Sequence, residues 1–351
     1  MKKLLSIIII SHNQRNELIR CVDSVLAQDI PFEYEIILSD DRSTDGTFEV
    51  AQEYASKYPF IIATQCNSDE CNPVNNSQRS GWNRCNGYKK ASGKYITHID
   101  GDDFYKGSDC LRLQVELLEN NPTCSLCMQN IWCWEEGKDI LEGERWHKFS
   151  IKTGQFFSAN DFFINKLFIL NQAFVMRKNP DFDPVLLYDK FYVDSIITFH
   201  HLQYGDIIYL DKCDYVYVQS PNSIIHSYEN QYERDIILTL SLTVIASYFI
   251  PKFTGLYYYR YKEDLLRVIN LILKGKRVIN RSESLKFFDI KICKLCLQEN
   301  LSILNIIRLQ LIRTTLIFIS KFDIKNKLVY KFLHLLFYGK KIDKRCIFQI
   351  K

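Results

Sequence analysis

Three carboxylates fall within four residues of this chain: Asp100, Asp102 and Asp103, with Gly101 between the first two. Tyr95, Ile96 and Ile99 just before them form a short apolar run that reads as a buried strand over Lys94–Asp100, so the acids stand at a strand tip. Like charges this close repel and raise one another's pKa unless a cation or a solvated turn relieves them. Hard carboxylate oxygens suit Mg²⁺ or Mn²⁺, which take one or two protein carboxylates and complete their shell with water and substrate phosphates. Asp and Gly are also ordinary turn formers, so this stretch alone leaves a metal site and a solvated turn both open. A second acidic group, Asp40 and Asp41, follows another apolar run, Tyr34–Leu38.

The elements that would position these acids can be read from periodicity. Ser6–Ile10 is a strand that gives way to a polar turn, Ser11-His12-Asn13. Leu18, Cys21, Val22, Val25 and Leu26 then recur at helical spacing. After the strand Tyr34–Leu38 comes Ser39 to Thr47, in which Ser43 or Thr44 is expected to cap the next helix, with Asp45 in its first turn. That helix carries Phe48, Ala51, Tyr54, Ala55 and Tyr58. Phe60–Thr64 is a third strand, residues 78–91 a helix, and Lys94–Asp100 the fourth strand. Alternation of strand and helix predicts a parallel α/β sheet, whose ligands bind beyond the carboxyl ends of the strands. Both acidic groups would emerge at that one edge, and this convergence favours a nucleotide and metal site over a decorative turn.

Composition bounds the remainder. At 351 residues, 47% hydrophobic and 25% charged, the chain is of globular type and long enough for about two domains. Its net charge of +4 hides an asymmetry: residues 230–351 hold 23 Lys and Arg against 9 Asp and Glu, so the parts before and after residue 230 carry −10 and +14. The acidic part repels nucleic acid. The basic, apolar part suits an anionic membrane surface or partner, or a solvated helical face rich in Lys. The 12 cysteines follow no disulfide-scaffold spacing, which implies reduced thiols and a cytosolic setting. The pairs Cys124/Cys127 and Cys293/Cys296 sit in apolar runs without a Gly or Pro knuckle and read as buried small hydrophobes rather than zinc ligands. Lys2 and Lys3 before Leu4–Ile10 imitate a signal peptide, but the run is short and no small-residue cleavage site follows, so it reads as the first strand. No segment reaches eighteen uncharged residues, and no membrane-spanning helix is expected.

Taken together, Ser6 to Asn13, Gln28, Glu35 to Thr47 with its Asp40-Asp41-Arg42-Ser43-Thr44-Asp45-Gly46 core, Arg84, Gly87, Ala91, Gly93, Tyr95 and Asp100-Gly101-Asp102-Asp103 resemble the successive motifs of glycosyltransferase family 2 in order and spacing. The resemblance covers about the first hundred residues. It implies a GT-A fold, a mixed sheet flanked by helices, with a nucleotide-sugar donor and a Mg²⁺ or Mn²⁺ ion held through the DxD motif. Carried onto this chain, Asp40 or Asp41 would hydrogen-bond the base, expected to be uracil. Asp100 would contact the ribose or the metal shell, Asp102 would ligate the metal, and Arg84 would lie near the diphosphate. The family's usual Asn after that Arg is Cys85 here.

Residues 106–229 are expected to hold the acceptor, completing a domain over 1–229 whose nucleotide-sugar half is 1–105. Cys124–Trp134 and Asn171–Met176 read as strands. Trp132, Trp134 and Trp146 could stack on a sugar or simply fill the core. The stretch from Asp181 to Ile224 resembles the family's closing segment, in which an acid opening a helix is the catalytic base. Asp194 matches that position, with Asp189 in reserve, and Gly205 should end the helix before two strands. Tyr217–Ser223 lacks the family's Arg and His, Val218 and Ser220 standing there, which leaves His226 to supply any such contact. Residues 230–351 read as a basic helical extension, with stripes such as Leu265, Val268, Ile269 and Ile272, that lies on a membrane interface or packs as a cap. The function these features imply is inverting, metal-dependent transfer of a sugar from a nucleotide sugar, UDP-linked, to a saccharide or lipid-linked saccharide acceptor in surface polysaccharide synthesis. The expected location is cytoplasmic, peripheral on the inner membrane. A noncatalytic nucleotide- or sugar-binding relative of the same fold is the alternative. A nucleotidyltransferase is disfavoured, because no Gly-rich phosphate loop follows the first strand.

Overall fold

A computed structural model describes residues 4–71, 76–146, 151–159, 161, 173–179 and 195–220. These lie in one compact unit, Met1–Ser227. The reserve acid Asp189, the base candidate Asp194, His226, Cys293/Cys296 and the whole extension 230–351 lie outside the described residues.

The first strand, β1 (Leu5–Ser11), is buried along its whole length. A strand buried at every position needs cover on both faces, the habit of an interior parallel strand. Leu5, Ile7 and Ile9 share one core with Leu18, Cys21, Val22 and Val25 of α1 (Arg15–Leu26), the predicted stripe. On the other face Ile8 meets Gly87 of α3 (Asn76–Lys90), where any side chain in place of glycine would collide with it. β2 (Tyr34–Asp40), α2 (Thr47–Lys57), β3 (Ile61–Gln65) and β4 (Tyr95–Asp100) complete the alternating series. β1 pairs in parallel with both β2 and β4, and β2 with β3.

The second half extends the same sheet with mixed polarity. β5 (Phe104–Tyr105) follows the acidic turn, α4 (Cys110–Asn120) crosses the sheet, and β6 (Cys124–Glu135) runs long. Two short strands, β7 (Glu144–Arg145) and β8 (Phe156–Phe157), precede β9 (Phe174–Arg177), which lies antiparallel between β4 and β6. A helix, α5 (Ser195–His201), leads to β10 (Asp206–Gln219), parallel to β6. The order is β3-β2-β1-β4-β9-β6-β10-β5, with β7 on β6 and β8 on β10. Instead of the two strands expected after Gly205 there is one long strand, whose register against β6 shifts between Leu210 and Tyr215. The polarity brings the carboxyl ends of β1, β2, β4, β6 and β10 to one edge of the sheet.

Cys124 and Cys127 are buried in this core, as small hydrophobes would be. Among the described residues no helix is long and apolar enough to cross a membrane.

Candidate active site at the carboxyl edge of the sheet

Chain order reverses at β1, which lies between β2 and β4, and such a switch point opens a crevice beyond the strand ends. Register aligns the site: Ser11 pairs with Asp40, and Ile10 with Asp100. The two acidic groups read from sequence are therefore brought to the ends of the two strands that flank β1.

The loops after β1 and β2 are laced together. Asn13 N–H donates to Ser43 Oγ at 2.8 Å, Thr44 N–H donates to Asn13 Oδ1 at 2.8 Å, and His12 Nδ1 is 2.7 Å from the Asp41 carbonyl oxygen. Asn13 and Arg42 take left-handed backbone with φ of 52° and 53°, a cost that these cross-links hold in place. Neither Ser43 nor Thr44 caps α2. The N-cap is Gly46, at φ 92°, and Asp45 does the capping work: its carboxylate accepts the N–H of Thr47 at 3.0 Å and of Arg15 at 3.2 Å. One acid thus serves the amino ends of α1 and α2 together, which Ser43 cannot do because its hydroxyl is turned to Asp40 at 2.5 Å.

Asp40 and Asp41 differ sharply. Asp40 is fully buried and accepts from Ser43 N, Ser43 Oγ, Gln65 Nε2 and Ser11 Oγ. Asp41 turns to the other side of β2, where Ser68 donates through both N–H, at 2.9 Å, and Oγ, at 2.5 Å. Arg79 Nη1 reaches Ser68 Oγ at 2.9 Å and lies 3.6 Å from the Asp41 carboxylate. Ser68 and Arg79 carry no short-range signature and were not among the residues read from sequence. Asn83 was also missed, although it stands next to Arg84: it accepts from Ser39 Oγ at 2.6 Å and donates to the Ser11 carbonyl at 3.1 Å, tying α3 to β2 and β1. Cys85 is buried behind this network.

Arg84 is 2% exposed and donates to Asp100 Oδ1 at 2.5 Å, while Asp100 keeps 24% of its side chain open to the crevice. The pair is buried on the protein side and accessible on the ligand side. After Asp100 the chain turns tightly, closed by Asp103 N–H to the Asp100 carbonyl at 3.0 Å, and Gly101 passes so close to β1 that a Cβ would come within 2.8 Å of the Ile10 carbonyl oxygen. The three acids of this turn do not converge. Asp103 points away from the crevice, buried, and accepts from Tyr215 Oη at 2.6 Å and Val218 N at 2.9 Å of β10. Burial, and then the charges of Asp102 and Asp100, push its carboxyl well above the ordinary range.

Asp102 is half-buried, and among the described residues no side chain donates to its carboxylate. Burial first, and the Asp100 charge second, push its pKa up to about 6. A hard-oxygen donor whose negative charge the protein itself leaves costly fits a divalent cation. Among the described residues no three His, Cys, Asp or Glu side chains form a ready cluster. An ion here would accordingly rest on Asp102 with help from Asp100 and take its other ligands from phosphate and water, as Mg²⁺ commonly does.

Of the tryptophans, Trp132 and Trp134 spend their indole N–H groups on the carbonyls of Ile140 at 2.9 Å and Lys138 at 3.0 Å, which closes the excursion between β6 and β7. Trp146 is 38% exposed. α5 begins immediately after Asp194 in the chain, and His201 anchors it to β9 through the Arg177 carbonyl oxygen, 3.2 Å from its Nε2.

Comparison with known proteins agrees with this architecture. The chain is 16% identical to S. aureus TarS residues 1–349, crystallised with UDP-GlcNAc, with a TM-score of 0.60 over 96% of this chain and 92% of that one. At this identity the likeness establishes the fold. An uncharacterized protein of Mycobacterium tuberculosis is 26% identical over 225 residues, 64% of this chain and 61% of its own length, so the chain spans about three fifths of that relative. A poly(ribitol-phosphate) beta-glucosyltransferase of Bacillus spizizenii is 35% identical over 108 residues, 30% of this chain and 16% of its own. The profile of Glycosyl transferase family 2 matches residues 6–181 and takes in the crossed loops, the Arg84–Asp100 pair and the acidic turn, so the chain belongs to that family.

Proposed function

We propose that the protein transfers a sugar from a UDP-linked donor to a saccharide or lipid-linked saccharide acceptor, with inversion and with a Mg²⁺ or Mn²⁺ ion held by Asp102 and Asp100. The observation that carries this reading is the convergence of Asp41, the Arg84–Asp100 pair and the under-solvated Asp102 at the switch point of the sheet. Asp40 already accepts four donors, so the base falls to Asp41. An ionised carboxylate only accepts hydrogen bonds, which suits the N3–H of uracil and not the bare N3 of cytosine. Arg84 holds Asp100 for the ribose and the ion, and its own charge favours the diphosphate. When bound, the ion offsets the negative charge that grows on the leaving diphosphate. Asp194, which precedes α5 in the sequence, takes the proton of the acceptor hydroxyl as it attacks the anomeric carbon from the opposite face. TarS was crystallised with UDP-GlcNAc, which supports a UDP-linked donor, and the Bacillus spizizenii relative is named for poly(ribitol phosphate), which supports a polymer acceptor.

The test is calorimetric binding of UDP, CDP and GDP with and without Mn²⁺, followed by a panel of UDP-sugars for metal-dependent turnover. Mn²⁺-dependent preference for UDP is expected, and Asp102→Asn should abolish the metal dependence without unfolding the protein. Unchanged Mn²⁺-dependent UDP binding in that variant overturns the metal assignment.

A further inference from the structure

Arg20 is a cation on α1 that the chemistry above does not use, and its surroundings are unlike those of a surface arginine. Its Nη2 donates to the backbone carbonyl of Asp102 at 2.7 Å. Its guanidinium carbon lies 4.9 Å from the Phe104 ring centre and 5.7 Å from that of Trp134, two rings that meet edge to face at 5.9 Å. Nη1 lies 3.7 Å from Glu136 Oε1, and Nε is buried with no hydrogen-bond partner among the described residues. The group is thus held by two aromatic faces and by its terminal nitrogens, a fit for a planar fork that an ammonium could not reproduce.

These contacts span three parts of the site. α1 belongs to the nucleotide side, Asp102 is the second residue inside the acidic turn, and Trp134 lies at the end of β6 with Glu136 just beyond it, where the excursion to β7 begins. The turn has other restraints, the Gly101 N–H on the Ile10 carbonyl, the Asp103 N–H to Asp100 carbonyl bond and the Asp103 carboxylate on β10. The Asp103 N–H shares one planar peptide with the Asp102 carbonyl, so the turn bond holds that peptide by its N–H and Arg20 holds it by its oxygen. The Arg20 bond is the one that ties this peptide to α1, and the two together set the direction in which the Asp102 carboxylate leaves the backbone.

We infer that Arg20 is a positioning residue for the metal-holding carboxylate, clamping the Asp102 peptide and coupling it to Trp134 at the end of β6. The inference rests on the reading that Asp102 holds the ion. Groups that orient a metal ligand are commonly worth ten- to a hundredfold in metal affinity.

The test uses the full chain, with Mn²⁺ and UDP as probes. Arg20→Met keeps an apolar stem between the rings and removes the donor. It should raise the Mn²⁺ concentration for half-maximal UDP binding about tenfold, leave UDP affinity without metal within about twofold, and hardly change the melting temperature. Trp134→Leu, which touches no proposed ligand, should raise the Mn²⁺ requirement in the same way, and the double variant should lose little beyond either single one, because the two act through one contact. A parallel fall in metal-free UDP affinity would assign Arg20 a general structural role, and an unchanged Mn²⁺ requirement, or fully additive losses, would remove the clamp. Asp102→Asn run alongside separates the two levels: if it loses Mn²⁺-dependent binding while both other variants keep it, only this inference fails. If Asp102→Asn keeps it, the metal reading fails and this inference with it.

Discussion

Replacing Tyr215 by Phe isolates the bond that pulls Asp103 out of the acidic turn. The phenol donates at 2.6 Å to a carboxylate that is 1% exposed, from a ring that is itself fully buried. A hydrogen bond to a charged group contributes about 1.5–3 kcal/mol, and its loss leaves one oxygen of a buried acid short of a donor. The ring stays packed edge to face on Tyr105 at 5.6 Å, and the hydroxyl leaves little void, so no large cavity term is added. The expected destabilisation is about 2 kcal/mol, not the 3–5 of a large-to-small core change. For a domain of this size that corresponds to a melting temperature lower by about 4–8 °C. Val218 N–H still holds the other oxygen at 2.9 Å, so the turn should loosen rather than come apart, and Mn²⁺-dependent UDP binding should weaken several-fold without disappearing. Thermal and urea melting with and without Mn²⁺·UDP would measure both effects. A variant as stable as the parent within about 0.5 kcal/mol would show that Tyr215 does not carry Asp103, and loss of all metal-dependent binding would make Asp103 a ligand after all.

Asp194→Asn should leave UDP affinity nearly intact and reduce turnover about a hundredfold or more, as loss of a general base does; collapse of donor binding together with turnover would make the residue structural. His200, 5% exposed, has its pKa lowered from 6.5 to about 4 by burial and then by His201, so the unfolded chain takes up its proton first and stability is lost as pH falls from 6.5 toward 4. Urea melts should show up to about 3 kcal/mol lost over that window, and His200→Phe should flatten the curve, whereas an unaltered slope would place the acid sensitivity elsewhere. The full chain, with +14 on residues 230–351, should co-sediment with anionic vesicles at low salt and be partly released by added salt, since each basic residue at such a surface contributes about 1 kcal/mol within a Debye length; equal binding to neutral vesicles would remove the electrostatic argument.

The elements of the first hundred residues were legible because their signal is short-ranged. Seven buried residues in a row at β1 and the stripe Leu18, Cys21, Val22 and Val25 report their own burial, whatever the rest of the chain does. The strand-helix alternation then required Asp40, Asp41 and the acidic turn to share an edge, since parallel connections return every strand in the same direction. What the carboxylates do at that edge was not legible. Three aspartates within four residues look alike in sequence, yet one pairs with Arg84, one is left to the crevice and one is drawn away by Tyr215, 112 residues further on. Asp45 serves two helices, and Ser43, an equally good cap by type, is taken by Asp40. Ser43 is claimed locally, three residues from Asp40, and Asp45 reaches Thr47 two residues on. The roles of Asp100 and Asp103, and the second helix that Asp45 serves, depend instead on which donors the sheet brings within about 3 Å, and those donors come from α3, β10 and α1. A residue's chemical type can be read locally. Where its partner is distant in the chain, long-range strand order decides it, because burial and a matched hydrogen bond set the energy of a charged side chain.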